Sequence, residues 1–129
     1  MTVTVGSNPR GILYDGENMW VTSSGSTLSV IRANDGFHVM TPTVESFSSD
    51  IAFDGVNVWV TIYGGSFGTT ADIVNRLDGT LVGTVTVGLG PLGIAFDGTQ
   101  MWVSSYSNET VTKIRAIYKT TLPVLLKDF

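Results

Sequence analysis

Three aspartates, Asp15, Asp54 and Asp97, each precede a glycine and stand five residues ahead of a tryptophan, Trp20, Trp59 and Trp102. Repeated carboxylates could ring a cation on a symmetry axis, and repeated indoles could stack on sugar rings. Both patterns have a simpler physical origin. Aspartate-glycine pairs supply the positive φ angles of two-residue hairpin turns. The tryptophans lie in apolar runs such as Met101-Trp102-Val103, as expected for packing residues in strands covered on both faces. His38, in "GFHVMT", is the single histidine and falls in an outer strand, with no partner pattern that would equip it for proton transfer. The chain has no cysteine, so a thiol nucleophile, a disulfide and a cysteine metal site are excluded. No catalytic residue, metal ligand set or cofactor is expected.

Recognition is better served by loop residues that break the pattern, because loops carried on a rigid scaffold are where binding groups concentrate. The segments "GSNPR", "VESFSSD", "GLGPL", "SSGST", "YGGSFGTTAD" and "YSNE" should open on one face. Within them Asn8, Arg10, Tyr63, Ser66, Phe67, Tyr106 and Asn108 offer stacking and hydrogen-bonding groups for a carbohydrate or protein ligand. Phe67 stands out, since an aromatic among glycines and hydroxyls has little structural reason to be there.

The elements that hold these loops follow from the repeat. The aspartates step by 39 and then 43 residues (15 to 54, 54 to 97), and the tryptophans keep the same steps. A period near 40 marks a unit that cannot bury its faces alone and stacks on its copies. Each unit reads as four strands. The first is "GILY", "DIAF" or "GIAF", and the second is "NMWVTS", "NVWVTI" or "QMWVSS". The third is "TLSVIRA", "ADIVNRL" or "TVTKIRA", and a second turn at Asp35-Gly36 and Asp78-Gly79 leads to the fourth. The last unit has Ile117-Tyr118-Lys119 where that turn should be. Four antiparallel strands per repeat describe the blade of a β-propeller, so an all-β chain of three blades is expected.

The stretch "GPLGIAFDGTQMWVSSYSNETVTKI" resembles the blade repeat of the NHL, YVTN and virginiamycin B lyase-like propellers. In that group a Pro-x-Gly-[ILV]-A-[FV]-D-x-x-G-x-[LIV]-[WY]-V segment recurs. The resemblance covers about residues 1 to 117 and implies a propeller fold. What it implies about function is broad, because these propellers serve as scaffolds, ligand binders and a few enzymes. The lyase-like enzymes use a histidine with a carboxylate-held magnesium ion, a constellation without a counterpart here.

Propellers close with about four to eight blades, and an incomplete ring exposes apolar faces and sheet edges. Three blades are too few. "TVTVGSNPRGI" at Thr2 to Ile12 copies "TVTVGLGPLGI" at Thr84 to Ile94, so residues 1–5 read as the outer strand of a preceding blade. Two copies would then form one six-bladed ring. Its blades span 6–43, 44–87 and 88–117, and the last is completed by strand 1–5 of the other copy. Residues 118–129 are left as an apolar tail that could instead supply that strand. A piece of a longer propeller is the alternative to this homodimer.

At 129 residues and 13.8 kDa the chain is one domain's worth. Eleven acidic against seven scattered basic side chains give a net charge of −4, the opposite of a nucleic-acid footprint. No secretory leader opens the sequence and no run approaches the ~18 apolar residues of a membrane span. A soluble, cytoplasmic protein is expected. These readings converge on a non-enzymatic binding scaffold. The rival is a metal-assisted lyase or hydrolase built on Arg10, Glu45 and Asp50.

Overall fold

The structure, a computed structural model, describes residues 1–116; expectations for residues 117–129 lie outside that range. Blade 1 comprises β1 (Ile12–Tyr14), β2 (Asn18–Val21), β3 (Ser29–Arg32) and β4 (His38–Met40). Blade 2 comprises β5 (Ser48–Phe53), β6 (Asn57–Ile62), β7 (Thr70–Asn75) and β8 (Leu81–Thr86). Blade 3 has β9 (Pro91–Phe96), β10 (Gln100–Ser105) and β11 (Thr110–Arg115). Neighbouring strands in each sheet are consecutive and antiparallel. The fold is all-β and propeller-like.

Each inner hairpin is built by the same side-chain device. Asp15 Oδ1 accepts the backbone N–H of Glu17 at 2.9 Å and of Asn18 at 2.7 Å, while its Oδ2 accepts the Trp20 indole N–H at 2.7 Å. Asp54 serves Val56, Asn57 and Trp59 in the same way, and Asp97 serves Thr99, Gln100 and Trp102. Positive φ is taken by the glycine alone, at 103° in Gly16, 95° in Gly55 and 101° in Gly98. The aspartate's part in the turn is therefore hydrogen bonding by its carboxylate, and its backbone keeps an ordinary conformation.

The blades pack face to face. The back of blade 1 presents Leu13, Trp20, Leu28 and Val30 to the front of blade 2, where Ile51, Val58, Val60 and Val74 receive them. The back of blade 2, with Ala52, Trp59 and Ile73, meets Ile94, Met101 and Val103 on the front of blade 3. A hydroxyl crosses each junction. Thr22 Oγ1 accepts the N–H of Gly11 within its own blade and donates to the Ser49 carbonyl of the next at 2.7 Å. Thr61 Oγ1 accepts from Asp50 and donates to the Leu92 carbonyl at 3.0 Å.

Both ends of this stack are open among the described residues. Ile12 on the front of blade 1 is 65% exposed, whereas its counterparts Ile51 and Ile94 are 5% and 9% exposed. Trp102 on the back of blade 3 is 39% exposed, against 0% for Trp20 and Trp59. The expectation that all three tryptophans are covered on both faces thus holds for two. No described strand flanks β11 on its outer side. Residues 1–5 form no strand, yet they lie where an outer strand would. A Cβ at Gly36 would meet the Met1 methyl at 2.7 Å and Val3 at 3.1 Å. One at the equivalent Gly79 would meet Met40, the last residue of β4, and Pro42 just beyond it, each at 3.0 Å.

Candidate functional site

The loops entering each blade and those following its second strand share one face, tied by backbone bonds. Ser24 N–H donates to the Ser7 carbonyl, Tyr63 to Phe47 and Tyr106 to Gly90, at 2.9–3.0 Å. The three entering loops align as Gly6-Ser7-Asn8, Glu45-Ser46-Phe47 and Gly88-Leu89-Gly90. The last position of each takes a left-handed backbone, φ 49° at Asn8, 63° at Phe47 and 67° at Gly90. Asparagine and glycine adopt it at little cost; phenylalanine does not.

Phe47 is one of several residues that break the repeat at the same junction. Glu45 stands where its siblings are glycines. Asp72, on β7, stands where the siblings are Ser29 and Thr112. The Asp72 side chain is buried at 1% exposure, accepting the Glu45 N–H at 3.2 Å and the Thr84 hydroxyl at 2.9 Å. Burial pushes its carboxyl above the usual range; the Glu45 N–H and Thr84 hydroxyl pull the other way, and the nearby Glu45 carboxylate adds to the rise. Glu45 Oε1 in turn accepts the Thr70 hydroxyl at 2.9 Å.

Above this pair lies an open cleft of about 360 Å³, walled by Glu45, Phe47, Phe67 and Thr70 over Ile62. Phe67 is 80% exposed at its rim. Its loop begins with a 3-10 turn over Gly64–Ser66 and is fastened on both sides. Arg10 of blade 1 places its guanidinium 5.8 Å from the Tyr63 ring centroid, and the Tyr63 hydroxyl bonds Ser66. On the other side Ser107 of blade 3 donates to the Ser66 carbonyl at 3.1 Å, and the Gly90 N–H donates to Gly68.

Among the residues expected from sequence, Arg10, Tyr63, Ser66 and Phe67 are therefore brought together around one loop. Asn8 is turned aside to the Ser24 hydroxyl at 3.3 Å. Tyr106, 71% exposed, and Asn108, bonded to the Thr110 hydroxyl, stay on the third blade's own loop. Phe47 and Asp72 are not among the site residues expected from sequence, and Glu45 enters there only in the metal-assisted reading. Their signal was present in the repeat itself, since each differs in kind from both of its siblings. Asp50, the other carboxylate of that rival reading, accepts the Ile94 N–H at 3.1 Å and so joins blade 2 to blade 3. No three His, Cys, Asp or Glu side chains gather into a metal-binding group among the described residues.

The chain is similar in structure to the Kuenenia stuttgartiensis hydrazine synthase, with a TM-score of 0.76 at 17% identity over 91% of this chain and 35% of that one. It likewise matches the computationally designed Ika4 protein, with a TM-score of 0.68 at 13% identity over 81% of this chain and 63% of that one. A third likeness is to KlHsv2 with loop 6CD replaced by a Gly-Ser linker, with a TM-score of 0.59 at 7% identity over 87% and 36% of the two chains. The chain shares their fold. It spans less than two thirds of each of these chains, and at such identities the likeness extends to architecture alone. No family model and no curated protein matches the sequence.

Proposed function

We propose that this chain is a non-enzymatic binding scaffold, half of a six-bladed ring that a second copy completes, whose loop face recognises a carbohydrate or protein ligand. The observation that carries the reading is the convergence of Glu45, Phe47 and Phe67 on one cleft, with the buried Asp72 holding the Glu45 backbone from beneath. Repeats that need only to stack would be interchangeable at these positions. Here an exposed ring at Phe67, a left-handed phenylalanine at Phe47 and a buried carboxylate at Asp72 stand at a single junction, the last two where the siblings carry asparagine or glycine and serine or threonine. Two apolar rings beside a carboxylate and threonine hydroxyls match the mixture of stacking and hydrogen bonding that sugars and peptides require.

Immobilised glycan and peptide arrays probed with the full chain, and again with Asp72→Ser and Phe67→Ala, test this. Retention of a defined ligand class by the wild-type chain, and at least tenfold weaker retention by both variants, supports it. Equal retention by all three chains overturns it.

One feature favours the hydrolytic or lyase reading in second place: Asp72 and Glu45 form a close carboxylate pair with one member held toward its protonated form, as acid-base catalysis uses. Turnover of any glycoside or lactone ester that vanishes in Asp72→Ser would bring that reading forward.

A further inference from the structure

The geometry points to a specific joint between copies: residues 1–5 of one copy join the outer edge of β11 of another, and the front of blade 1 covers Trp102. This rests on the closed-ring reading above and assigns its contacts.

Register comes first. In blade 1, Thr27 faces Thr43 and Val30 faces Met40; in blade 2, Thr70 faces Thr86 and Ile73 faces Gly83. Carrying the same register to β11 sets Thr110 against Thr4, Val111 against Val3 and Lys113 against Met1. Every blade would then close its outer pair with threonine on threonine. Leu28 N–H donates to the Pro42 carbonyl and Val44 N–H to Ser26, both at 2.9 Å. That pattern makes Thr27 and Thr43 a non-hydrogen-bonded pair, the kind whose side chains approach most closely. Thr4 and Thr110 inherit this geometry.

Packing agrees with the register. Met1 and Val3 already rest on Gly36 as Met40 and Pro42 rest on Gly79, so residues 1–5 hold the outer-strand position of a blade whose inner strands the described residues do not supply. The junction hydroxyl agrees too. Ser104 accepts the Gly93 N–H at 3.1 Å, as Thr22 and Thr61 accept theirs. Those two also donate to the carbonyls of Ser49 and Leu92. The residue equivalent to Ser49 and Leu92 in the first loop is Arg10, whose carbonyl is the acceptor that Ser104 of another copy would find. Closure of these three blades on themselves would need a three-bladed ring, below the about four blades at which propellers close. Two copies give two identical junctions and no open edge.

Lys113 departs from the pattern, standing where Val30 and Ile73 are buried. Its ammonium lies over the Trp102 ring, 5.5 Å from the centroid, a cation–π contact on the face that the partner copy would cover.

The chain lacks cysteine, which allows a direct test with the full-length double variant Thr4→Cys, Thr110→Cys. Both positions are exposed, so folding is undisturbed, as circular dichroism checks. After oxidation the joint yields a reducible covalent dimer at twice the 13.8 kDa chain. Thr4→Cys with Val111→Cys yields none, because adjacent strand residues point to opposite faces. A disulfide confined to one chain, equal linking by both pairs, or no linking by either overturns the joint. The measurement needs no ligand. A chain that links as stated but retains no glycan or peptide keeps the joint and loses the scaffold reading, and one that binds ligand without linking does the reverse.

Discussion

Asp15, Asp54 and Asp97 show how one side chain can serve a turn and a core together. Each carboxylate joins two turn N–H groups to the indole of a packing tryptophan. Asp15→Ala would leave the indole N–H of the buried Trp20 without its acceptor and should cost about 1–3 kcal/mol, read by urea denaturation. The same device shapes the acid response. Hydrogen bonds from the Gln100 N–H, the Trp102 indole and the Thr99 N–H lower the Asp97 carboxyl from 3.8 to about 2. For Asp15, burial acts in the opposite sense, but the bonds from Asn18, Trp20 and Glu17 outweigh it. A carboxyl lowered on folding contributes stability that is complete above its ordinary value and is lost as pH falls through the folded one. Melting temperatures followed from pH 5 to pH 2 should therefore drop, and Asp97→Asn should flatten part of that drop. Asp72 has the opposite sign. Its raised carboxyl contributes stability below the ordinary value that is lost as pH rises through the folded one. Asp72→Ser, the blade 1 residue, should remove that loss and melt no lower than wild type at neutral pH, while weakening ligand retention.

At the scale of elements, the second junction differs from its siblings in the loop that enters blade 2 and the loop that follows β6. The entering loop places a phenylalanine, Phe47, in the left-handed region where its siblings have Asn8 and Gly90, and the loop after β6 carries the added residues around Ser66, also left-handed. Phe47→Asn, the sibling residue of the first loop, should relieve the strain and raise stability by up to about 1 kcal/mol in chemical denaturation. It should also weaken ligand retention, since Phe47 walls the cleft. A variant that is more stable and binds equally well would assign the phenylalanine no part in recognition. The strands themselves were legible from alternation and turn chemistry, because those signals are local. The entering loops are legible as a face of the molecule, but the place of Phe47 in the site is not, since a left-handed backbone at a phenylalanine is imposed by the register of its neighbours.

At the scale of the whole molecule, the two faces open among the described residues dominate. Ile12 and Trp102 stand exposed where their counterparts are buried, and the blade-to-blade hydroxyl relay stops at Ser104 among the described residues. Covering them should change both association and stability. Lys113→Val restores the residue type of Val30 and should lower the dissociation constant of the assembly several-fold, measured by sedimentation across a dilution series. Deletion of residues 1–5 should act in reverse, giving a lighter species whose Trp102 is more readily quenched by acrylamide. Unchanged sedimentation in both variants would count against closure by a second copy.

What the amino-acid sequence determined by itself was the repeat: strand order, the Asp-Gly turns, the pairing of aspartate with tryptophan, and the copying of "TVTVG". These depend on residues a few positions apart, or on equal units that pack equally, so period and turn chemistry suffice. Tertiary structure alone decided which copies of a repeated residue differ in fate. Trp20, Trp59 and Trp102 occupy one position in three units, yet among the described residues only the first two have a following blade to cover them. Glu45 and Asp72 lie 27 residues apart and meet because blade packing lays the loop entering blade 2 against β7. A pattern read along the chain contains no term for that contact, since burial and the shifted carboxyl it produces arise from neighbours that only the folded stack brings together.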